Sequence, residues 1–296
     1  MGMKKFRVYG LGQCALDYLG RIKTYPEADS KCEFTSLRIQ GGGPVATALV
    51  ALQRWGISTA FCGVVGDDDF GKQILTELRS EKIDLEDVLI RKNESSQFAF
   101  VVAETEPDRR TIFWRRPTGS EPTTTEIKTR RILSAELLHT DGIFPEATLH
   151  ACKVANSANI PVSVDAGSMR EAMPEIASYS DFFLASSTFA TQFLGRDDPG
   201  IACEKMAGLG ARVVCVTLGA QGYVAKWNNK TIERPAYIVD TVDTTGCGDL
   251  FHAGFIYGIL QEWSIEKSFD YAAWAAAMVS RNLGGRLTIP NVSDYT

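Results

Sequence analysis

The heptapeptide Asp243-Thr244-Thr245-Gly246-Cys247-Gly248-Asp249 lies between a strand-like stretch, residues 237–241, and an apolar segment from Leu250 onward that is typical of a helix. Its two glycines surround one small residue, which leaves the backbone N–H groups of residues 246–248 free to point the same way. The following helix adds unpaired N–H groups and the positive end of its dipole. Together these features predict a pocket for anionic oxygens.

Asp249 stands at the start of this helix, beside the predicted anion pocket. A carboxylate in that place can accept the proton of an attacking hydroxyl while neighbouring N–H groups stabilise phosphate charge. The alternative is an ordinary glycine-rich turn capped by Asp249. That alternative explains the glycines but not a second acid beside so many free amides, so we predict that Asp249 is a catalytic base.

The composition excludes several classes of protein. The chain has 296 residues, 45% of them apolar, which is enough for a large core. A net charge of −5 without a basic stripe argues against a nucleic-acid partner. No apolar run approaches the roughly 20 residues of a membrane span, and the N-terminus has no signal segment. We therefore expect a cytoplasmic protein that binds no membrane.

Cysteine and histidine patterns give no metal site. The seven cysteines are scattered, odd in number and without a C-x-x-C pair, which favours reduced thiols. The three histidines do not pair at the spacing of metal ligands, so a structural zinc site is not expected. The residues alone therefore identify no metal ligand.

Short apolar strands alternate with helices along most of the chain. This alternation predicts an α/β fold with a mostly parallel sheet covered by helices on both faces. The predicted strands are 6–10, 58–65, 136–140, 161–165, 181–185 and 212–217, with a hairpin at 221–235, and the predicted helices are 44–55, 71–81, 146–158, 171–178, 199–208, 249–261 and 266–282. No repeat or linker divides the sequence, so we expect one domain over residues 1–296.

Two irregular segments, about 14–40 and 96–117, interrupt this alternation. The second contains two strand-like runs, 97–103 and 110–116, joined by a polar turn. The two segments could pair into a small separate sheet beside the cleft, and such a sheet would act as a lid.

The remaining glycine motifs are weaker. Gly10-x-Gly12-x-x-Ala15 is not followed by the long helix that a dinucleotide site needs, although Asp17 lies just past the first strand, where α/β sheets bind ligands. Residues 66–73 approach a P-loop but lack its hydroxyl and contain three aspartates, which favours a helix cap.

Two further glycine runs each leave two interpretations open. Gly41-Gly42-Gly43-Pro44 would let the backbone approach a ligand closely, or it would form a hinge between lid and core. Thr217-Leu218-Gly219-Ala220-Gln221-Gly222 would pass under a triphosphate, or it would form a hairpin turn.

Taken in order, these motifs resemble the PfkB/ribokinase family of carbohydrate and nucleoside kinases over nearly the whole chain. The signature D-T-T-G-x-G-D is complete at residues 243–249, and residues 42–56 and 63–71 resemble two further family motifs. The resemblance implies a ribokinase-like three-layer α/β/α fold with a small β-sheet lid. It also implies ATP and Mg²⁺, with a monovalent cation such as K⁺ as a further expectation.

The family's functional residues carry over to matching positions. The resemblance implies that Asp249 is the base and that the amides of Gly246, Cys247 and Gly248 form the anion hole. It implies sugar contacts for Asp17, Gly42, Gly43 and Thr47, and ATP contacts for Ser186, Thr217, Gly219, Gly222, Thr244, Gly246 and Gly248.

Two positions depart from the family pattern. Thr47 replaces the usual Asn of the N-terminal signature, so one sugar hydrogen bond is shortened or rearranged. Ser186-Ser187-Thr188-Phe189 replaces the N-x-x-E that helps to organise Mg²⁺, so the metal must rely on other groups.

The motifs are most similar to the sulfofructose kinase branch, which also lacks N-x-x-E. The similarity rests on residues 41–47, Phe251-His252 and the run 284–290. Lys31 falls where that branch places a lysine near the sulfonate. Arg115, on the expected lid strand, could receive an anionic group, or it could belong to a solvated strand end.

The expected reaction is transfer of a phosphoryl group from ATP to a primary hydroxyl of a sugar or sugar derivative. A nucleoside kinase is an alternative, which Trp114 on the lid supports, and a phosphosugar kinase is another if Lys31 and Arg115 converge. A nucleotide-binding regulator without catalysis is the alternative of a different class. The exposed lid strands favour a homodimer formed lid to lid.

Overall fold

The computed structural model describes residues 6–106 and 108–295, and strands β1–β14 with helices α1–α9 build that part of the chain. The strands are β1 (Val8–Leu11), β2 (Ala15–Ile22), β3 (Ser36–Gly42), β4 (Thr59–Cys62), β5 (Val64–Gly66), β6 (Leu89–Arg91), β7 (Phe98–Thr105), β8 (Asp108–Arg115), β9 (Leu137–Thr140), β10 (Val162–Ala166), β11 (Phe182–Ser186), β12 (Val213–Thr217), β13 (Tyr223–Trp227) and β14 (Lys230–Arg234). The helices are α1 (Pro44–Arg54), α2 (Asp69–Ser80), α3 (Thr129–Ile132), α4 (Pro145–Ser157), α5 (Met173–Ser178), α6 (Ser187–Leu194), α7 (Pro199–Ala207), α8 (Cys247–Leu260) and α9 (Ile265–Val279).

The central sheet has the order β14-β13-β12-β11-β10-β9-β1-β4 among the described strands. Six strands of this sheet run parallel to one another, namely β4, β1, β9, β10, β11 and β12, and β13 and β14 add an antiparallel edge. The prediction of an α/β fold with a mostly parallel sheet is therefore confirmed. The carboxyl ends of the parallel strands lie along one edge of this sheet, which is where ligands bind in such folds.

Neighbouring residues of the strands face opposite sides, so the sheet separates two apolar cores. In β11, Phe182 and Leu184 pack into the core that α1, α8 and α9 cover, whereas Phe183 and Ala185 pack into the core that α4 to α7 cover. Both faces of the sheet are buried, which explains why its strands are apolar runs without alternation.

A separate four-stranded sheet has the order β3-β2-β7-β8 and is called the lid from here on. It combines the two irregular segments, because β2 and β3 come from the first and β7 and β8 from the second. Residues 23–35 connect β2 to β3 without a strand or helix. Among the described residues, no helix has both the length and the apolar character that crossing a membrane requires.

Three predicted elements differ in the structure. The single strand expected at 58–65 is two strands, β4 and β5, which are separated at Gly63. A Cβ at Gly63 would lie 2.7 Å from the carbonyl oxygen of Gly12. Residues 237–241 form neither a strand nor a helix in the structure. Helix α8 begins at Cys247, which places Gly248 and Asp249 inside its first turn.

Candidate active site

The carboxylate of Asp243 fixes the shape of the predicted anion loop, residues 243–249. Its Oδ1 accepts hydrogen bonds from the backbone N–H and the hydroxyl of Thr245, at 2.9 and 2.8 Å. Its Oδ2 accepts the N–H of Gly284 at 2.9 Å. Asp243 is buried, so its role is to hold the loop against residues 284–286 rather than to meet a substrate.

The two glycines of the loop do different things. Gly246 has a φ of 81° and packs so closely on Gly285 that a Cβ would lie 2.5 Å from the Cα of Gly285. A Cβ on Gly248 would meet no atom within 4 Å, so the backbone there borders open space. The N–H of Cys247 donates to Thr244 O at 3.3 Å within the turn, which engages one of the three amides expected to bind an anion.

Asp249 lies in the first turn of α8 and is half-buried. Burial, and after it the nearby carboxylate of Asp165, raises its pKa to about 7 against the opposing charges of His252 and Arg286. A carboxylate with this pKa can accept a proton near neutral pH. The Cys247 thiol beside it is no nucleophile, because burial raises its pKa to about 12.

Two buried side chains that the sequence did not identify lie behind Asp249. His252, one turn further along α8, places its Nε2 3.2 Å from Oδ1 of Asp165, near the carboxyl end of β10. Burial opposes ionisation of Asp165, but the charge and hydrogen bond of His252 bring its pKa below the usual value. A negative charge is thereby kept behind the predicted base.

The predicted sugar contacts gather where the lid meets the core. Asp17 is buried on β2, and burial raises its pKa to about 6. Its carboxylate lies so close to Gly42 that a Cβ there would be 2.0 Å from Oδ2. Gly43 has a φ of 91° and precedes α1, whose first residue is Pro44. The lack of a side chain at Gly42 therefore leaves room for the carboxylate of Asp17.

Arg286 was not expected as a site residue, yet it links several that were. It is 2% exposed, and its Nη2 donates to Gly42 O at 2.8 Å. Its Nε donates to the hydroxyl of Thr47 at 3.1 Å, and its Nη1 lies 3.3 Å from Glu77 Oε1. Thr47 is buried, and its hydroxyl accepts this hydrogen bond.

A cavity of about 390 Å³ adjoins the anion loop. Five of the predicted ATP residues line it: Thr217, Gly219, Gly222, Thr244 and Gly248. Residues 236–239 and small side chains of α9 also line it. Its size lies within the range of small-molecule sites, and the open backbone at Gly248 adjoins it, so the residues present fit a nucleotide with its phosphates at the loop.

Ser186 does not line this cavity. Its Oγ accepts the N–H of Phe189 at 3.0 Å and donates to Gly167 O at 2.9 Å, which makes it the N-cap of α6. In the described parts of the chain, no three His, Cys, Asp or Glu side chains could hold a metal ion together. The described residues thus offer no ready-made cage for Mg²⁺, which commonly binds through nucleotide phosphates and water.

The two predicted lid cations do not converge on the site. Arg115 pairs with Phe98 in the lid register, whereas Asp17 is in register with Ala99. Because neighbouring residues of a strand face opposite sides, Arg115 lies on the face turned away from Asp17. Lys31 is exposed in the 23–35 connection, and no bond to a site residue is seen for it.

Arg110, on lid strand β8, contacts the anion loop. Its Nη1 donates to the hydroxyl of Thr245 at 3.2 Å. Arg110 and Arg115 are five residues apart, so their side chains lie on opposite faces of β8. The sequence could have shown this, but only the pairing with β7 shows that Arg110 shares the face of Asp17.

Comparisons with known proteins agree with this geometry. A sequence model described as "pfkB family carbohydrate kinase" matches residues 8–292. An ATP-dependent ribose-1-phosphate kinase of Halopiger xanaduensis is 27% identical over 95% of this chain and 94% of its own length. An ATP-dependent 6-phosphofructokinase of Thermoanaerobacterium thermosaccharolyticum is 25% identical over 98% and 92%. A putative ribokinase from Agrobacterium tumefaciens has a TM-score of 0.90 at 21% identity, covering 98% and 95% of the two chains, and so shares the fold.

Proposed function

Because the chain belongs to the pfkB family of carbohydrate kinases, we propose that it transfers the γ-phosphate of ATP to a primary hydroxyl of a sugar or sugar derivative. One observation carries the proposal. Asp249 has a pKa near neutrality, follows the cavity-lining residue Gly248, whose backbone is open, and is near enough to Asp17 for the charge of that carboxylate to raise its pKa. Membership of the sulfofructose kinase branch stays a prediction, since the names of the relatives above refer to other sugars.

In the proposed reaction, Asp249 takes the proton of the acceptor hydroxyl while the acceptor oxygen forms a bond to the γ-phosphorus. The bond to the bridging oxygen breaks, and its electron pair leaves with ADP. Amides at the start of α8 stabilise the charge on the transferred group. Mg²⁺ would supply further neutralisation of phosphate charge when bound with the nucleotide. The lid excludes water, which limits hydrolysis of ATP.

ADP release over a panel of sugars, with and without ATP, tests the proposal. Asp249→Asn should lower kcat by about 10²–10⁴-fold, because it removes the general base. Binding of a non-hydrolysable ATP analogue should remain. Asp240→Asn is the matched control, since Asp240 is an exposed acid on the segment leading to the anion loop. Near-native turnover in Asp249→Asn would refute the assignment of the base.

A nucleoside acceptor is the second candidate, and Trp114 favours it. Trp114 is in register with Ala99 and so shares the face of Asp17. It is 53% exposed, with the guanidinium of Arg116 5.1 Å from its ring centroid. An exposed aromatic ring over the cleft could stack on a base. Trp114→Ala should then raise KM for nucleosides and leave KM for sugars unchanged. A protein that binds ATP tightly but releases no ADP with any acceptor would instead be a regulator.

The outer face of the lid supports the proposed homodimer. Four large apolar side chains on or against it are 38–52% exposed: Phe34, Leu37, Ile39 and Phe113. A second copy of the same face would bury them against each other. Light scattering should give the dimer mass for the natural chain and the monomer mass for Leu37→Lys. A monomer at all concentrations of the natural chain would contradict the proposal.

A further inference from the structure

One wall of the cavity beside the anion loop, called the nucleotide cavity from here on, is a stretch of chain that backbone hydrogen bonds do not hold. Residues 236–239 line the cavity and form neither a strand nor a helix. Across the described ranges, 6–106 and 108–295, no hydrogen bond to another backbone group is seen for residues 236–241. The shape of this wall therefore depends on its side chains.

Tyr237 ties this wall to helix α9. Its hydroxyl donates to Oδ2 of Asp270 at 3.0 Å. Ala273, three residues further along α9 and so on the same face as Asp270, lines the nucleotide cavity, as do Ala276 and Ala277. The hydrogen bond from Tyr237 to Asp270 therefore joins two walls of one cavity.

A second tyrosine holds the Asp270 carboxylate in place. Oδ2 of Asp270 also accepts the hydroxyl of Tyr295, at 2.7 Å. The ring of Tyr295 lies against Tyr271 and Trp274, with centroid distances of 5.0 and 5.4 Å, and both of these rings are buried. Although Asp270 itself is exposed, its carboxylate is thus fixed from the side of the core, and Tyr237 donates to an acceptor that is already in position.

The chemistry of the cavity indicates what the ring of Tyr237 contacts. Thr244 and Gly248 bring the anion loop to the cavity, which is where the phosphates are proposed to lie. Residues 237–239 and the alanines of α9 supply apolar walls, which suit a nucleobase. Burial, and after it the hydrogen bond and charge of Asp270, raises the pKa of Tyr237 to about 12, so its hydroxyl keeps the proton that it donates. A ring fixed in this way meets a base with little loss of conformational freedom.

We propose that Asp270 is a positioning residue for the phosphate donor, because it holds the ring of Tyr237 against the nucleobase. This inference rests on the proposed kinase function and names residues that set the affinity for the donor. Asp270 does not line the cavity, so it acts through Tyr237 and touches neither substrate. Loss of the hydrogen bond frees the 236–239 wall, and nucleotide binding must then order it.

The test measures binding of the non-hydrolysable ATP analogue AMP-PNP by calorimetry, and KM for ATP and for the best sugar of the panel by ADP release. Tyr237→Phe keeps the ring and removes the donor, whereas Asp270→Ala removes the acceptor. Each should raise Kd for AMP-PNP and KM for ATP about 3–10-fold, as expected for one lost hydrogen bond and one freed side chain, and leave KM for the sugar unchanged. The double variant should bind no more weakly than either single one, because both remove the same bond.

Two further variants separate positioning from a general effect of charge. Asp270→Asn keeps an acceptor oxygen for the tyrosine hydroxyl and should hold Kd for AMP-PNP within about 2-fold of the natural value. Glu266→Ala is the matched control, since Glu266 is another acid of α9 that pairs with Lys230 and does not line the cavity. It should change neither Kd nor KM.

An unchanged Kd for AMP-PNP in both Tyr237→Phe and Asp270→Ala would overturn the inference. Additive effects in the double variant would also overturn it, as would an equal rise in KM for the sugar, which would indicate a general disturbance of the fold. If no acceptor supports ADP release, the proposed function fails, whereas calorimetry with AMP-PNP still decides whether Asp270 positions the nucleotide.

Discussion

Replacing Asp249 by Asn should stabilise the fold while it abolishes activity. The folded protein raises the pKa of Asp249 from 3.8 to about 7, so ionising this carboxyl costs more in the folded chain than in the unfolded one. The sign follows from proton linkage. The cost is absent below pH 4, grows as the pH rises through the interval between the two pKa values, and is complete above pH 7. Asn is close in shape to Asp and carries no charge at any pH.

The magnitude follows from the size of the shift. A rise of about three pKa units corresponds to about 4 kcal/mol at pH 8. Because Asp249 is half-buried, solvent screens part of this, and we expect the variant to gain about 2 kcal/mol in unfolding free energy at pH 8. At pH 5 most of the cost is still absent, so the gain should stay below about 1 kcal/mol.

Urea unfolding of the natural chain and of Asp249→Asn at pH 5 and pH 8 measures both gains. Asp141, whose pKa is also raised, titrates in both proteins and cancels in the difference. Asp240→Asn, at an exposed acid, should leave the free energy of unfolding unchanged at both pH values. Equal gains at the two pH values, or a loss at pH 8, would refute the view that the site holds its base at a cost in stability.

Further measurements address the loop, the buried arginine and the pH profile. Gly246→Ala should lower the unfolding free energy by at least about 1–3 kcal/mol, because this position needs a φ of 81° and the new Cβ would meet Gly285. Gly248→Ala should leave the unfolding free energy unchanged and weaken nucleotide binding, as measured by calorimetry. Arg286→Met should lower unfolding free energy by about 2–3 kcal/mol, since it strands the carbonyl oxygen of Gly42; an unchanged urea midpoint would contradict this. The value of kcat/KM should fall about 10-fold per pH unit below the Asp249 pKa of about 7, and a flat profile from pH 5 to 8 would exclude that base.

Local patterns predicted much of the architecture. Buried strands alternating with helices gave the central sheet, and the two irregular segments gave the lid. The anion loop was predictable because its glycines, its acid and the following helix are contiguous in sequence. Five of the predicted ATP residues line one cavity because they follow strand β12 or begin helix α8, two elements whose ends meet at the same edge.

The rest depends on contacts between distant parts of the chain. Arg286 reaches Gly42 across 244 positions, and the run 284–290 around it does not show which distant residues it contacts. Arg115 and Arg110 both lie in a strand-like run, and the choice between them needs the register with β7, which a shift of one residue would reverse. The pairing of His252 with Asp165 joins a helix to a strand far away in sequence.

The short segment 284–286 touches both halves of the catalytic cleft. The N–H of Gly284 donates to Asp243, Gly285 lies against Gly246, and Arg286 donates to the carbonyl oxygen of Gly42. We therefore expect that a displacement of the proposed acceptor subsite also displaces the proposed phosphate subsite. Because residues 284–286 contact both the anion loop and Gly42, we expect binding of the acceptor and alignment of the transferred phosphoryl group to change together.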